Sequence, residues 1–199
     1  MTKTIVIVGG GFSGTMAAVN LARLSTQALR IVIVNAKRPI GRGTAYSTRR
    51  NEHLLNVAAR NMSAFPDFPE HFLGWLRSRS EFAALPEEDL RQMFVPRYIY
   101  GDYLCSLLAA CQQPVDPRSN VQVETVDDEA VDIVVADDGG ASVLLKSGES
   151  LDADQVLLAT GNQPPGSFPS HAPLSHDPRY RSDPWHDWVS RLPGSGGRI

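Results

Sequence analysis

The segment Gly9-Gly10-Gly11-Phe12-Ser13-Gly14 constrains this chain more than any other. It satisfies GxGxxG, and its flanks matter as much as its glycines. Thr4–Val8 is a short β-branched run that reads as a buried parallel strand. Phe12–Leu24 follows with Ala17, Leu21 and Leu24 at helical spacing, and Ile31–Val34 is a second strand-like run. Strand, tight loop, helix and strand in this order make a βαβ unit. Gly9 permits the tight turn, Gly11 lets a pyrophosphate approach the backbone, and Gly14 lets the helix pack close to the strands. The free amides and the positive end of the helix dipole, with the Ser13 hydroxyl beside them, then face the anion. The pattern predicts an adenine-dinucleotide site over Thr4–Leu24.

Which dinucleotide it holds depends on the end of the second strand. An Asp or Glu usually stands there and grips the ribose hydroxyls. This chain has Asn35, followed by Lys37 and Arg38. An asparagine can still bond a ribose hydroxyl, but loss of the acid beside cations is also how NADP sites admit a 2′-phosphate. Both readings stand on these residues alone.

Composition removes other classes. The formal net charge is −3 without a long Lys/Arg run, which argues against nucleic acid as the main partner. The apolar run Ile5–Val8 is too short for a signal peptide or a membrane span. Cys105 and Cys111 do not face each other on a helix, so a disulfide framework is not expected and a reducing cytoplasm is. No CxxC or clustered His/Cys set suggests a metal.

Beyond the second strand, 36–69 reads as an extended loop region with a short helix near Asn51–Ala59. Glu70–Arg79 and Arg97–Ala110 read as helices. Val121–Thr125, Ala130–Val135, Ala141–Lys146 and Gln155–Ala159 are strand-like, with turn signals at Asp137-Asp138-Gly139-Gly140 and Ser147-Gly148-Glu149. The last of these strands reads as buried and runs into Thr160-Gly161. The expected fold is α/β: a Rossmann-like domain with a central parallel sheet, a small antiparallel β meander at about Ala130–Lys146 and a helical and loop insertion. Residues 1–35 and 116–162 form the dinucleotide-binding core, 36–115 the insertion, and 163–199 a Pro-rich linker with a short helix at Trp185–Leu192. Gly196-Gly197-Arg198-Ile199 looks like the approach to a further first strand, so the chain reads as the N-terminal part of a longer protein.

An ordered series of motifs lies outside the loop. It comprises Gly41-Arg42-Gly43-Thr44-Ala45-Tyr46-Ser47, His53-Leu54-Leu55-Asn56-Val57, Met62-Ser63, Arg97–Tyr103 and Leu158-Ala159-Thr160-Gly161-Asn162. With the glycine loop, this series resembles the bacterial FAD/NAD(P)-binding oxidoreductases, distant relatives of flavin monooxygenases and amine N-hydroxylases. The resemblance implies FAD as cofactor, NAD(P)H as reductant of the longer protein, and a small-molecule substrate. It implies that Gly9–Gly14 hold the FAD pyrophosphate and that Asn35 stands at the ribose. Arg42, Gly43 and Ala45 would lie along the cofactor, Leu55, Asn56 and Val57 would approach the flavin, and the backbone near Ala130 would contact adenine. Thr160 and Gly161 would close over the cofactor, at the strand edge where open α/β sheets bind ligands.

Several of these residues have a plainer reading as well. Arg42 is a phosphate partner or a solvated loop arginine; His53 and Asn56 are site residues or local structural ones. Arg97, Tyr98, Tyr100 and Tyr103 line a substrate channel or pack an aromatic helix face on the core. No catalytic acid or base is assigned, because in flavoproteins the cofactor carries the chemistry.

Overall fold

The structure is a computed structural model that describes residues 2–36, 39–113, 120–137, 139–162, 177 and 180. Lys37, Arg38 and the linker readings at 163–199, including the Trp185–Leu192 helix, lie outside the described residues. The chain divides into two compact units, Met1–Gly161 and Asn162–Ile199. In the second unit the Tyr180 amide donates to the Asp177 carbonyl at 3.0 Å.

The first unit is built on four parallel strands. These are β1 (Lys3–Val8), β2 (Leu29–Val34), β3 (Val121–Val126) and, last in the chain, β7 (Gln155–Leu158), in the spatial order β3-β2-β1-β7. Helix α1 (Phe12–Leu24) joins β1 to β2. Between β2 and β3 lie α2 (Gly43–Tyr46), a 3-10 turn (Ala59–Asn61), α3 (His71–Arg77), α4 (Glu87–Gln92) and α5 (Arg97–Gln112). Between β3 and β7, the strands β4 (Ala130–Val135), β5 (Ala141–Leu145) and β6 (Ser150–Ala153) form a separate antiparallel sheet.

The two-residue period of a strand explains why Ile5–Val8 of β1 and Ile31–Val34 of β2 are apolar on both faces. Ile5, Ile7, Ile31 and Ile33 point to one face, where Ala18 of α1 and Leu108 of α5 cover them. Val6, Val32 and Val34 point to the other, where Val143 and Leu145 of β5 and Ala153 of β6 cover them. The meander therefore lies across the parallel sheet, as the fold class requires. Met16 and Val19 of α1 join a further core with Leu55, Phe72, Leu76, Leu90, Tyr100, Tyr103 and Leu104. One helix thus ties the insertion to the sheet.

Three local expectations change. Asn51–Ala59 is not a helix: its backbone is held by the segment before α5, through Leu55 N–H to the Val95 carbonyl and Ala59 N–H to the Met93 carbonyl, both 2.9 Å. Those donors are spent sideways, and only a 3-10 turn at Ala59–Asn61 remains helical. The strand entering Thr160-Gly161 is not buried. Among the described residues β7 pairs with β1 alone and stands at the sheet edge, with Leu157 and Leu158 exposed. Three elements also go beyond the expected set, α2, α4 and β6. The first turn of α4 carries Glu87, Glu88 and Asp89 after Pro86, a start signal present in the sequence.

Candidate dinucleotide-binding site

The C-terminal ends of β1, β2 and β7 lie in register at one sheet edge, with Val8 opposite both Val34 and Leu158. The next residues are stitched together there. Gly9 N–H donates to the Val34 carbonyl and Ala159 N–H to the Val8 carbonyl, each 2.8 Å, while Asn35 N–H donates to the Val126 carbonyl at 3.0 Å.

The glycines divide by role. Gly9 has φ +109°, and a Cβ there would overlap the Ala159 carbonyl oxygen. A Cβ on Gly14 would overlap the Gly9 carbonyl oxygen, so this glycine lets α1 sit against β1. Gly10 is buried, and its backbone is held from both sides. Its N–H donates to Asn35 Oδ1 at 3.1 Å, and its carbonyl accepts from Gly41 N–H at 2.7 Å and Thr15 Oγ1 at 3.4 Å. Gly11 differs: its backbone is extended, and a Cβ would meet only Gly43, at 3.4 Å. The fold does not need a glycine at position 11.

Thr15 N–H is the amide that reaches back to Gly11, at 2.9 Å. The amides of Phe12, Ser13 and Gly14 precede it and have no intrahelical acceptor, as at every helix start. No acidic side chain stands in this first turn. The result is a set of donors with a positive dipole end at the strand edge, next to exposed Thr160 and Gly161.

Residues 39–47 cross the loop as a strap. Gly41 has φ +87° and backs onto Cys105, whose thiol donates to the Ile40 carbonyl at 3.3 Å. Burial raises the pKa of that thiol. Gly43 packs against Gly11, and half-buried Ala45 follows in α2. The Arg42 side chain turns away from the loop. It donates to the Tyr98 carbonyl at 3.0 Å and pairs with Asp102. A Cβ on Gly101 would come within 2.7 Å of both Arg42 Nη1 and the Tyr46 carbonyl oxygen. These contacts anchor the strap to α5 through Arg42.

Phe12 faces Tyr46 and Tyr100, with ring centroids 6.4 Å away from each, and these two tyrosines lie 4.8 Å apart. Burial raises both phenols' pKa values and keeps them neutral. Tyr100 and Tyr103 are buried in the insertion core, which settles their reading as packing residues.

Other site candidates lie apart from the loop. Leu55 is buried in the insertion core, Val57 is half-buried and Asn56 is exposed. The amide of Asn56 thus needs no buried partner, contrary to its reading in an apolar run. His53 Nδ1 lies 2.7 Å from Thr48 Oγ1, and the His53 carbonyl accepts from Arg97 N–H at 2.8 Å. Ala130 opens β4, pairs with Leu145 and packs on the face of the parallel sheet. Sequence reasoning missed the bracing of Gly10 by Asn35, Thr15 and Gly41, and the Arg42–Asp102 pair. Thr15 did carry a signal, a hydroxyl on the inward face of a helix. Among the described residues, no group of three or more His, Cys, Asp or Glu is placed to hold a metal, and no helix is long and apolar enough to cross a membrane.

A glycine loop between a parallel strand and a helix, with open amides at the carboxyl edge of the sheet, defines a dinucleotide-binding α/β domain. Residues 6–163 match the FAD-NAD(P)-binding family, and the chain belongs to it. No curated protein matches the chain. Among solved structures, the fold is similar to cyclohexanone monooxygenase in its closed form, at 19% identity and a TM-score of 0.53 over 84% of this chain and 27% of that one. It is similar to a flavin monooxygenase from Stenotrophomonas maltophilia at 19% identity and 0.53, over 80% and 38% of the two chains. A third is the S-allyl-L-cysteine S-oxygenase of Allium sativum, at 20% and 0.53, over 81% and 37%. The chain thus spans well under half the length of each of these proteins.

Proposed function

We propose that this chain binds FAD through the Gly9–Gly14 loop and forms the FAD-binding part of an NAD(P)H-dependent flavin oxidoreductase or monooxygenase. Its substrate is a small organic molecule, and its place is the cytoplasm. The observation that carries the reading is Gly11, a position where the fold tolerates a side chain and a pyrophosphate does not. The chemistry of the donors fits the group as well, because uncommitted amides at a helix start suit a pyrophosphate.

In this reading the amides of Gly11, Phe12 and Ser13 hold the pyrophosphate, with the Ser13 hydroxyl beside them. Gly43 and Ala45 run along the cofactor, and Thr160 and Gly161 close the strand edge over it. Leu55, Asn56 and Val57 form the flavin wall, and the backbone at Ala130 meets adenine. Bound FAD supplies the redox chemistry; the protein's part is to bind and orient it. The similarity to flavin monooxygenases supports the choice of flavin over a nicotinamide nucleotide at this loop.

The test is the identity of the small molecule released when the purified chain is denatured. FAD, or stoichiometric uptake of added FAD by a colourless preparation, is the expected result. A chain that binds NADPH and not FAD would overturn the reading and favour an NADP-binding reductase, to which Asn35, Lys37 and Arg38 also conform.

A further inference from the structure

We infer that Asn35 is a positioning residue for the glycine loop, acting through the Gly10 amide. Three observations carry this. Asn35 Oδ1 accepts the Gly10 N–H at 3.1 Å. The two residues are also in steric contact, since a Cβ on Gly10 would lie 2.9 Å from Asn35 Cβ and 3.0 Å from its Cγ. The other side of Gly10 is fixed independently, its carbonyl accepting from Gly41 N–H and Thr15 Oγ1.

Gly10 is thereby clamped between β2, the strap and α1. The peptide that follows it carries the Gly11 N–H, so the clamp sets the direction of the first amide of the cradle. An asparagine suits this task because its amide oxygen accepts a backbone N–H while adding no negative charge beside a pyrophosphate. The acid usual at the end of the second strand is therefore dispensable here for loop geometry.

The affinity part of this inference rests on the FAD reading; the clamp itself is testable without ligand. Amide hydrogen exchange at Gly10 is measured by NMR on the ligand-free chain, for wild type, Asn35→Ala and Asn35→Asp. The clamp requires exchange about tenfold faster in Asn35→Ala, the worth of one intramolecular hydrogen bond, and wild-type exchange in Asn35→Asp, which keeps an acceptor. In the second arm, wild type and Asn35→Ala are titrated with FAD and with FAD lacking the 2′-hydroxyl of its adenosine ribose. A positioning role weakens both ligands by the same factor, about tenfold. Unchanged exchange at Gly10 in Asn35→Ala, or a loss confined to the ligand that has the hydroxyl, overturns the inference. A chain that takes up no FAD refutes the flavin reading, while exchange at Gly10 still decides the clamp.

Discussion

Replacement of Gly11 by alanine separates binding from folding at this site. The Gly11 backbone has φ −78° and ψ −163°, which any residue adopts, and the nearest atom to an added methyl is Gly43 Cα at 3.4 Å, an ordinary contact. The folding penalty is then confined to the weaker helix-start preference of alanine, at most about 1 kcal/mol. The methyl nevertheless projects from the backbone that a pyrophosphate must approach. If it displaces two charge-assisted hydrogen bonds of about 1.5–3 kcal/mol each, the loss is about 3–6 kcal/mol, or roughly a hundred- to ten-thousandfold in Kd. Gly14→Ala is the contrasting variant, because its methyl overlaps the Gly9 carbonyl oxygen. It should lose about 1–3 kcal/mol or more of stability through overpacking at the α1–β1 contact. The assay pairs urea denaturation of the ligand-free chains with FAD titration followed by flavin fluorescence. Gly11→Ala that folds normally and still binds FAD within about threefold of wild type would refute the argument, since the phosphates would then not lie over Gly11.

Two further outcomes follow from the insertion. His71 Nδ1 lies 2.8 Å from Tyr103 Oη, and partial burial lowers the His71 pKa below its ordinary 6.5. The unfolded chain therefore binds the proton first, so the stability tied to neutral His71 is complete above pH 6.5 and falls as pH drops through the folded-state value. Urea midpoints should decline as pH falls below 6.5 and decline less in His71→Gln, whereas Asp67, Glu81, Glu124 and Asp128, held low by their partners, act at more acid pH. Asp102→Ala removes the partner of Arg42 and the nearby charge that Arg79 faces at 3.7 Å. Both arginines stay partly solvated, so the loss should be about 1–3 kcal/mol in chemical denaturation, below that of a fully buried pair; a change under about 0.5 kcal/mol would show that the pair does not anchor the strap.

How much of this was legible in the sequence depends on the range over which each feature is decided. β1, β2 and the turn and packing roles of Gly9 and Gly14 are set within a few residues, by β-branched runs and by the absence of Cβ atoms. β4 was legible from its β-branched residues and the turn after it, even though Val131, Val134 and Val135 are exposed. The edge position of β7 was not, because an apolar run does not say how many neighbours a strand has. The same limit explains the two polar residues that sequence reasoning offered to the ligand. Asn35 has an acceptor that either a ribose or a backbone amide can satisfy, and only the packing of Gly10 against it selects the amide. Arg42 has a charge that either a phosphate or a carboxylate can satisfy, and its partner stands 60 positions away on α5. In both cases the residue type states what must be bonded, while the choice of partner is made by tertiary contact. The backbone donors of the first turn of α1 behave differently. Helix geometry leaves them without internal acceptors wherever α1 packs, so this set of open donors follows from local sequence more securely than any side chain around it.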